Sequence, residues 1–238
     1  METLLKNNLR ELFNNGIEIP SVKWQSIEID SDNPIISVFN INGAVFIGPD
    51  VKDLTERLQP DLPWANDHFN ERVCGLPINP GEQYKNWPYY KKDKDDERFR
   101  SSGKFSHNYM ERIWCKGYTG IRFEYGDLND IIQRLKNDIY TRQAYLSIWH
   151  PEDQSPSNKR IPCSLGYFFY YNNGILNCHY TLRSCDAIRH FKNDLYMAGK
   201  LLQFISEKLE VIPGELSYWI GSLHCFKSDF YTLKKLIR

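Results

Sequence analysis

Residues 165–182 read LGYFFYYNNGILNCHYTL, with aromatic and aliphatic runs on either side of Asn172-Asn173-Gly174. Aromatic and β-branched residues favour extended strands, and an Asn-Gly pair adopts the left-handed backbone that a tight turn requires. The stretch therefore predicts an antiparallel β-hairpin in the second half of the chain. Two further strands are predicted, a short one at about 143–150 and a buried one at 216–226, LSYWIGSLHCF.

Two amphipathic helices are predicted beside this hairpin. Asp127 is a suitable N-cap for a helix that ends near Asn137. A longer helix is predicted over about 192–209, with Pro213-Gly214 as the signal that ends it. Their apolar stripes comprise Leu128, Ile131, Ile132 and Leu135 in the first helix and Leu195, Ala198, Leu201, Leu202, Ile205 and Leu209 in the second.

The first half of the chain has weaker patterns. Residues 2–14 predict a helix, and 35–47 predict a second hairpin that turns at Asn42-Gly43. Residues 60–90 predict irregular structure, and the mixed-charge run KKDKDDERFR at 91–100 predicts a solvated loop. Because helices and strands do not alternate regularly, the pattern favours an α+β fold with a large sheet over repeated βαβ units.

Length and charge limit the classes of function. The 238 residues suit one domain over 1–238, and 30 Lys and Arg balance 30 Asp and Glu. A net charge of zero argues against a nucleic-acid or membrane-surface partner, so an anionic ligand must be bound by a few placed cations. No signal peptide and no apolar run of about 18 residues is apparent, which predicts a cytoplasmic protein.

The six cysteines contain no CxxC pair, so no zinc or other metal site is expected. Cys163 follows a proline, and Arg160 and Arg183 lie near it in sequence. A neighbouring guanidinium favours the thiolate, which is the nucleophilic form of cysteine. On composition alone, the alternative of a buried structural thiol applies to Cys163 as much as to the other five cysteines.

Five segments between Asp127 and Phe226 occur in a characteristic order: DIIQRLKNDIYTRQAYLSIWHPED, IPCS, LRSCD, FKND and GSLHCF. They resemble the helix and arginine turn, the nucleophile, the phosphate motif, the base motif and the final strand of the thymidylate synthase superfamily. Upstream, NPGEQYKNW at 79–87 and SHNYMERIW at 106–114 are similar to segments of its pyrimidine-nucleotide hydroxymethylase branch. The resemblance implies an α+β, three-layer fold with a large mixed β-sheet and long helices.

The resemblance also implies a mechanism. In such enzymes a thiolate, here Cys163, adds to C6 of a pyrimidine and makes C5 a carbon nucleophile. C5 then attacks a one-carbon unit from 5,10-methylenetetrahydrofolate, and hydroxymethylases add water to the resulting methylene group. Trp87 is assigned to the folate site on the same basis.

Proton transfer at C5 requires a buried carboxylate in this mechanism. Glu71, in HFNERVCG, is the best match for the glutamate of the family, and Glu82 and Glu111 are alternatives. A further alternative is that Glu71 only forms a surface ion pair with Arg72 or Lys85.

The nucleotide phosphate is assigned by the resemblance to Arg183 and Ser184, with Asp186 ordering water or the base edge. Arg142 matches an arginine that is lent across the interface of a homodimer, whereas Gln143 replaces the second arginine of that pair. Guanidinium groups suit bidentate contacts to phosphate. The alternative is that each arginine is only a surface cation.

The residue that reads the base edge is predicted to be Asp194. Family members that act on uracil carry asparagine here. A carboxyl group suits cytosine, because it accepts from the amino group and, when protonated, donates to N3. The alternatives are the preceding residue, Asn193, and an Asp194 that only stabilises the first turn of its helix.

His224 matches the histidine that binds the sugar hydroxyl, whereas Phe226 and Phe168 replace a tyrosine and a glutamine of the family. The first hypothesis is therefore a homodimeric, folate-dependent 5-hydroxymethyltransferase of CMP or dCMP. The second is a synthase or hydroxymethylase that acts on dUMP. The third is a nucleotide-binding protein of this fold without activity, suggested by Gln143 and the two phenylalanines. An unrelated α+β domain would require five ordered motifs to occur by coincidence.

Overall fold

A six-stranded mixed sheet organises the structure, a computed structural model that describes residues 2–20, 30–90, 100–117, 124–156 and 160–238 and the backbone of 23–24 and 27–28. From edge to edge, its strands are β1 (Ile17–Ile19), β4 (Ile35–Phe46), β10 (Ile212–Phe226), β9 (Ile175–Asp186), β8 (Ser164–Asn172) and β7 (Tyr145–Ser147). Strands β9 and β10 are parallel, and the other neighbours are antiparallel. Two short ribbons pair β2 (Lys23–Trp24) with β3 (Ile27–Glu28) and β5 (Arg100–Ser101) with β6 (Lys104–Phe105).

The helices are α1 (Thr3–Asn15), α2 (Val51–Leu58), α3 (Trp64–Arg72), α4 (Tyr109–Ile113), α5 (Leu128–Asn137), α6 (Phe191–Leu209) and α7 (Phe230–Leu236). The longest, α6, packs on β9 and β10 and contacts α2, α3 and α5. None of the helices in the described part of the chain is long and apolar enough to cross a membrane. The predicted α+β class with a large mixed sheet is confirmed.

The best-patterned elements form as predicted. Asp127 accepts hydrogen bonds from the backbone N–H groups of Asn129 and Asp130 and so caps α5. The β8–β9 hairpin turns at Asn173 and Gly174, which have φ angles of 48° and 88°. Asn-Gly adopts these positive φ values at low cost in free energy, which is why the sequence predicts this turn. Residues 91–99 of the charged run, predicted as a loop, lie outside the described residues.

The second predicted hairpin is wrong, because Ile35–Phe46 is one continuous strand that pairs antiparallel with β10. Gly43 lies opposite Tyr218, and a Cβ added at Gly43 would lie 2.3 Å from the Tyr218 hydroxyl oxygen. That hydroxyl accepts a hydrogen bond from Asn8 Nδ2 of α1 at 2.7 Å. The glycine therefore marks the close approach of a buried tyrosine and not a turn.

Two other expectations also differ from the structure. Residues 60–90, predicted to be irregular, contain α3, in which Trp64, Ala65 and Phe69 are buried. Pro213-Gly214, predicted as a stop signal, lies inside β10, where the register to β9 shifts between Pro213 and Leu216. The irregularity expected from Pro-Gly thus takes the form of a shift in strand pairing.

Candidate active site

A cavity of about 110 Å³ lies where the loop before β8 and the end of β9 meet α3, α4 and the first turns of α6. Its lining combines two thiols, two carboxyl groups and several basic and aromatic side chains, which is a composition typical of a catalytic site. The lining residues are Trp64, His68, Arg72, His107, Tyr109, Arg160, Ile161, Cys163, Cys185, Asp186, His190, Asp194 and Met197.

Arg183 fastens the loop that carries Cys163. Its Nε donates to the Pro162 carbonyl at 2.9 Å, its Nη2 donates to the Ile161 carbonyl at 3.0 Å, and its backbone N–H donates to the Cys163 carbonyl at 2.9 Å. The same Nη2 lies 3.8 Å from Cys163 Sγ, and the Ser184 hydroxyl oxygen lies 3.6 Å from it. Two donors therefore converge on the sulfur, as a nucleophilic cysteine requires.

A chain of hydroxyl groups leads from the next residue to the cavity wall. Ser164 Oγ lies 2.5 Å from the Tyr180 hydroxyl and 3.2 Å from the Tyr109 hydroxyl. Burial raises the pKa of Tyr109, and the charges of Cys163 and Asp194 raise it further. Tyr109 therefore stays protonated and presents a hydroxyl donor beside the nucleophile.

Asp194 brings a carboxyl group into the cavity from the first turn of α6, where its side chain is buried. Cys185 Sγ donates to Asp194 Oδ2 at 3.6 Å. Burial raises the pKa of Asp194 above its ordinary value, although the charges of His190 and Arg72 act in the opposite direction. The raised pKa makes this carboxyl group easier to protonate than an exposed aspartate, and a protonated carboxyl group both donates and accepts hydrogen bonds.

Asn193 is fully buried and lies outside the cavity lining. Its Oδ1 accepts from the Asp61 backbone N–H at 2.8 Å, and its Nδ2 donates to Asp61 Oδ2 at 2.9 Å and to the Arg189 carbonyl at 3.0 Å. With the amide engaged in this way, Asn193 ties α6 to the segment before α3. Of the two neighbouring candidates for base recognition, Asp194 is the one that faces the cavity.

One face of α3, absent from the sequence prediction, supplies a wall of the cavity. Trp64, His68 and Arg72 are spaced by four residues and share this face. The guanidinium carbon of Arg72 lies 4.2 Å from the ring centroid of Tyr109. The W-x3-H-x3-R spacing indicates that the three side chains share one face of a helix, but it lies in residues 60–90, which are predicted to be irregular.

His68 is a buried side chain, 8% exposed, and neither of its ring nitrogens has a hydrogen-bond partner among the described residues. Burial lowers its pKa well below the ordinary value, and the nearby Arg72 and His190 lower it further. The imidazole is therefore neutral, and in the described structure its nitrogens are unmatched.

The three glutamates considered as proton-transfer groups lie outside the cavity lining. Glu71 Oε1 accepts from the backbone N–H groups of Glu82 and Gln83 at 2.7 and 3.1 Å. Glu111 accepts from the backbone N–H of Asn108 at 3.0 Å within a capping box. Glu82 is exposed and pairs with Lys85. Glu82 and Glu111 are thus engaged in surface or backbone contacts, whereas Glu71 Oε2 is buried without a hydrogen-bond partner among the described residues.

Asp186 is held by an ion-pair network at the edge of the cavity. Its Oδ1 accepts from the backbone N–H groups of Ile188 and Arg189 at 2.9 Å, and its Oδ2 accepts from Arg189 Nη1 at 3.0 Å. Arg189 also binds Asp229 through two hydrogen bonds of 2.7 and 3.1 Å. Burial opposes the charge of Asp186, but the Arg189 guanidinium outweighs it and lowers the pKa of Asp186.

His224 lies close to this network, outside the cavity lining. It is buried, and burial lowers its pKa while the charge of Asp186 acts in the opposite direction. Phe226, which replaces the tyrosine of the family, lies with its ring centroid 5.5 Å from the Arg189 guanidinium. The phenylalanine therefore covers the ion pair, a contact that needs no hydroxyl group.

Trp87 flanks the cavity by stacking on His190. Their ring centroids lie 5.4 Å apart and their planes are nearly parallel, at 14°. The indole Nε1 of Trp87 is buried without a hydrogen-bond partner among the described residues. The edge of the cavity thus carries a flat aromatic stack with an unmatched indole donor.

Three arginines lie close enough to His107, a lining residue of the cavity, to affect its charge. Burial and the charges of Arg160, Arg112 and Arg183 lower the pKa of His107 to about 3. Such a concentration of positive charge suits an anionic group. Arg142 lies elsewhere, exposed in the turn before β7, where Gln143 accepts a hydrogen bond from Arg134 at 3.0 Å. In the described part of the chain, no three His, Cys, Asp or Glu side chains are grouped as a metal ion would require.

A family model described as thymidylate synthase matches residues 76–238, more than half of the chain. The chain belongs to the thymidylate synthase family. The bifunctional dihydrofolate reductase-thymidylate synthase of Zea mays is 30% identical to it over 121 residues. That match covers 51% of this chain and 23% of the relative, so the chain spans less than a quarter of the length of this curated relative. The superfamily resemblance is thus confirmed, whereas the hydroxymethylase branch stays a prediction.

Proposed function

We propose that this member of the thymidylate synthase family is a folate-dependent 5-hydroxymethyltransferase of cytosine nucleoside 5′-monophosphates, CMP or dCMP. The observation that carries the proposal is the buried carboxyl group of Asp194 in the same cavity as Cys163. Burial raises its pKa and so makes protonation easier than for an exposed aspartate, and the protonated carboxyl group would donate to N3 of cytosine and accept from the amino group at C4. Asn193, which would suit uracil, has its amide engaged with Asp61 and Arg189.

In the proposed reaction, Cys163 Sγ adds to C6 of the ring and the C5 carbon attacks the one-carbon unit. Arg183 and Ser184 hold the nucleophile loop and the sulfur in place. The substrate phosphate would then meet Ser184 and the remaining donor capacity of Arg183. Asp186 acts through Arg189, and His224 is the proposed contact for the sugar hydroxyl.

Methylenetetrahydrofolate is the proposed co-substrate, and it supplies a carbon at the oxidation level of formaldehyde. Trp87 and His190 offer the stacked surface for its planar ring next to the nucleotide cavity. A product hydroxymethyl group requires water to reach the methylene carbon once the folate has left. No metal ion is part of the proposal.

We propose a homodimer in which Arg142 of one copy reaches the phosphate site of the other. Tyr145 and Phe168 pair across β7 and β8, and Tyr170 lies on the same face of β8. The rings of Phe168 and Tyr170 stack with centroids 5.8 Å apart, and Tyr145 is 43% exposed. A partly exposed aromatic face on the sheet supports the proposal that a second copy covers it.

A uridylate-directed enzyme is the second candidate, and it is supported by the name of the maize relative, a thymidylate synthase. The two candidates differ at the base, because uracil presents an acceptor at C4 and a donor at N3 where cytosine presents the reverse.

The test is tritium release from C5-labelled CMP, dCMP and dUMP in the presence of methylenetetrahydrofolate, with the product identified by mass. We expect release from a cytosine nucleotide with gain of a hydroxymethyl group, and loss of release in Cys163→Ala. Because Cys74 is the exposed cysteine, Cys74→Ser is the matched control for loss of a thiol. Preference for dUMP would favour the second candidate, and nucleotide binding without release would indicate an inactive binding protein.

A further inference from the structure

The ring of His68 packs against Trp64, with centroids 5.3 Å apart, but this contact leaves both of its nitrogens unmatched in the described part of the chain. It projects from the middle of α3 into the lining of the cavity, between Trp64 and Arg72. Both ring nitrogens are buried without a hydrogen-bond partner in the described part of the chain. Buried polar atoms are almost always satisfied by protein, water or ligand, so the partner of His68 belongs in the cavity.

Several described groups around His68 are engaged in other contacts. The ring of Tyr109 lies 6.2 Å from the His68 ring, and its hydroxyl oxygen accepts a hydrogen bond from Ser164 Oγ. The nearby charges are Arg72 on the same helix and His190 before α6. His190 is stacked on Trp87, and the carboxylate of Asp186 is bound by Arg189.

One further lining group, Asp194, already has a task in the proposed function. Asp194 is assigned to the edge of the base, and His107 lies among the arginines, where the phosphate charge is expected. The glutamates that sequence analysis considered lie outside the lining. A proton that leaves or enters the ring at C5 can therefore pass to His68, a lining residue whose two nitrogens are unmatched in the described structure.

We infer that His68 is the catalytic acid–base residue that moves the C5 proton of the bound pyrimidine, a task that sequence analysis assigned to a glutamate. The inference rests on the proposed function, because it requires a pyrimidine in the cavity. Its basis is geometric: a buried imidazole with two unmatched nitrogens lines the same cavity as the nucleophile.

Exchange of the C5 hydrogen with solvent requires no folate. Cys163 thiolate forms the Sγ–C6 bond, and the electron pair of the C5–C6 double bond takes a proton from water at C5. The original C5–H bond then breaks, its proton passes to His68, and its electron pair restores the double bond and expels the thiolate. His68 returns the proton to water, so the net result is exchange of the C5 hydrogen with solvent.

The experiment follows the loss of the C5–H signal of CMP and dCMP by NMR in D2O, without folate, for wild type, His68→Gln and His68→Glu. Asn70→Ala is the matched control, because Asn70 is an exposed residue of the same helix. We expect His68→Gln to slow exchange about 100-fold or more, the range lost with a general acid–base group. His68→Glu, which retains a proton-transfer group, should exchange faster than His68→Gln.

Nucleotide affinity is measured in parallel, so that a loss of binding is not read as a loss of chemistry. The inference requires the Kd of His68→Gln for CMP to stay within about threefold of wild type while the exchange rate falls. Exchange by His68→Gln at the wild-type rate would overturn the inference, as would an effect confined to Kd. Wild-type protein that neither exchanges a C5 proton in this assay nor releases tritium in the presence of methylenetetrahydrofolate would instead overturn the proposed function.

Discussion

Asn193 and Asp194 are neighbours in the first turn of α6, yet their side chains do different work. An α-helix turns by about 100° per residue, so adjacent side chains point in different directions. Asn193 is directed to Asp61, whereas Asp194 is directed into the cavity. A shift of one residue in the helix register would therefore exchange a carboxyl group for an amide at the base edge.

The first prediction at this scale concerns base preference. Asp194→Asn should lower affinity for CMP and raise affinity for UMP, because the amide donates to O4 and accepts from N3–H. The ratio of the two Kd values should change by at least about tenfold, since a mismatched buried polar pair is strongly rejected. Calorimetry with both nucleotides measures the ratio, and an unchanged ratio would remove Asp194 from base recognition.

The second prediction concerns pH. Burial raises the folded-state pKa of Asp194 above its unfolded value of about 3.9, so the folded state holds this proton more tightly. Stability from this group is complete below the unfolded pKa and is lost as pH rises through the folded pKa. Asp194→Asn should therefore raise the Tm relative to wild type at pH 7, and the gain should vanish towards pH 4 and below. A gain that is equal at both pH values would contradict this assignment.

At the scale of elements, a helix or strand can be predicted from sequence when the face that it buries is apolar and regular. Helices α5 and α6 each bury a regular apolar stripe, and the β8–β9 hairpin turns at Asn-Gly. Local sequence is therefore sufficient to predict these three elements. Helix α3 presents Trp64, His68 and Arg72 to the cavity, and a polar buried face has no hydrophobic period to detect. Strand β4 was misjudged because the reason for Gly43 is a tyrosine far along the chain.

That close contact gives a prediction for β4. Gly43→Ala should lower the free energy of unfolding by about 1–3 kcal/mol, because the new methyl group would overlap the ring of Tyr218. Urea denaturation measures the change, with Asn42→Ala, an exposed neighbour on the same strand, as the control. Equal stability of the two variants would mean that β4 and β10 are spaced more widely here.

Some residues of the candidate site can likewise be predicted from local sequence, and others cannot. Cys163, Arg183 and Asp194 lie in short motifs whose order identified the family, and the structure brings all three to one place. His68 and Arg72 come from a separate helix, and no local pattern connects them to the nucleophile. Their role depends on the packing of α3 against α6, which is a property of the tertiary structure.

At the scale of the whole molecule, the part matched by the family and the part before it share one sheet. Strand β4 precedes residue 76, yet it pairs with β10 from Ile35 to Phe46, and α3 supplies a wall of the cavity. We therefore expect residues 1–238 to unfold as one domain, with a single calorimetric transition. A fragment of residues 76–238 should aggregate, because it exposes the edge of β10. Two separate transitions would show that the chain contains two units that unfold independently.

The proposed dimer has a test of its own. Cys163→Ala and Arg142→Ala should each be inactive alone, but a mixed dimer holds one site with both an intact cysteine and the arginine of the other copy. Random mixing of a twofold dimer should restore about a quarter of the wild-type rate per protomer. A mixture without activity would place Arg142 in the site of its own chain or outside any site.

The stacked pair of Trp87 and His190 gives the molecule an internal reporter. The emission of an indole depends on the groups in contact with it, and Trp87 lies nearly parallel to the His190 imidazole beside the cavity. We expect a ligand that enters the cavity to alter this stack, so that the intrinsic fluorescence changes with occupancy. Binding of natural, unlabelled nucleotides and folates can then be measured by titration from the intrinsic fluorescence of the protein.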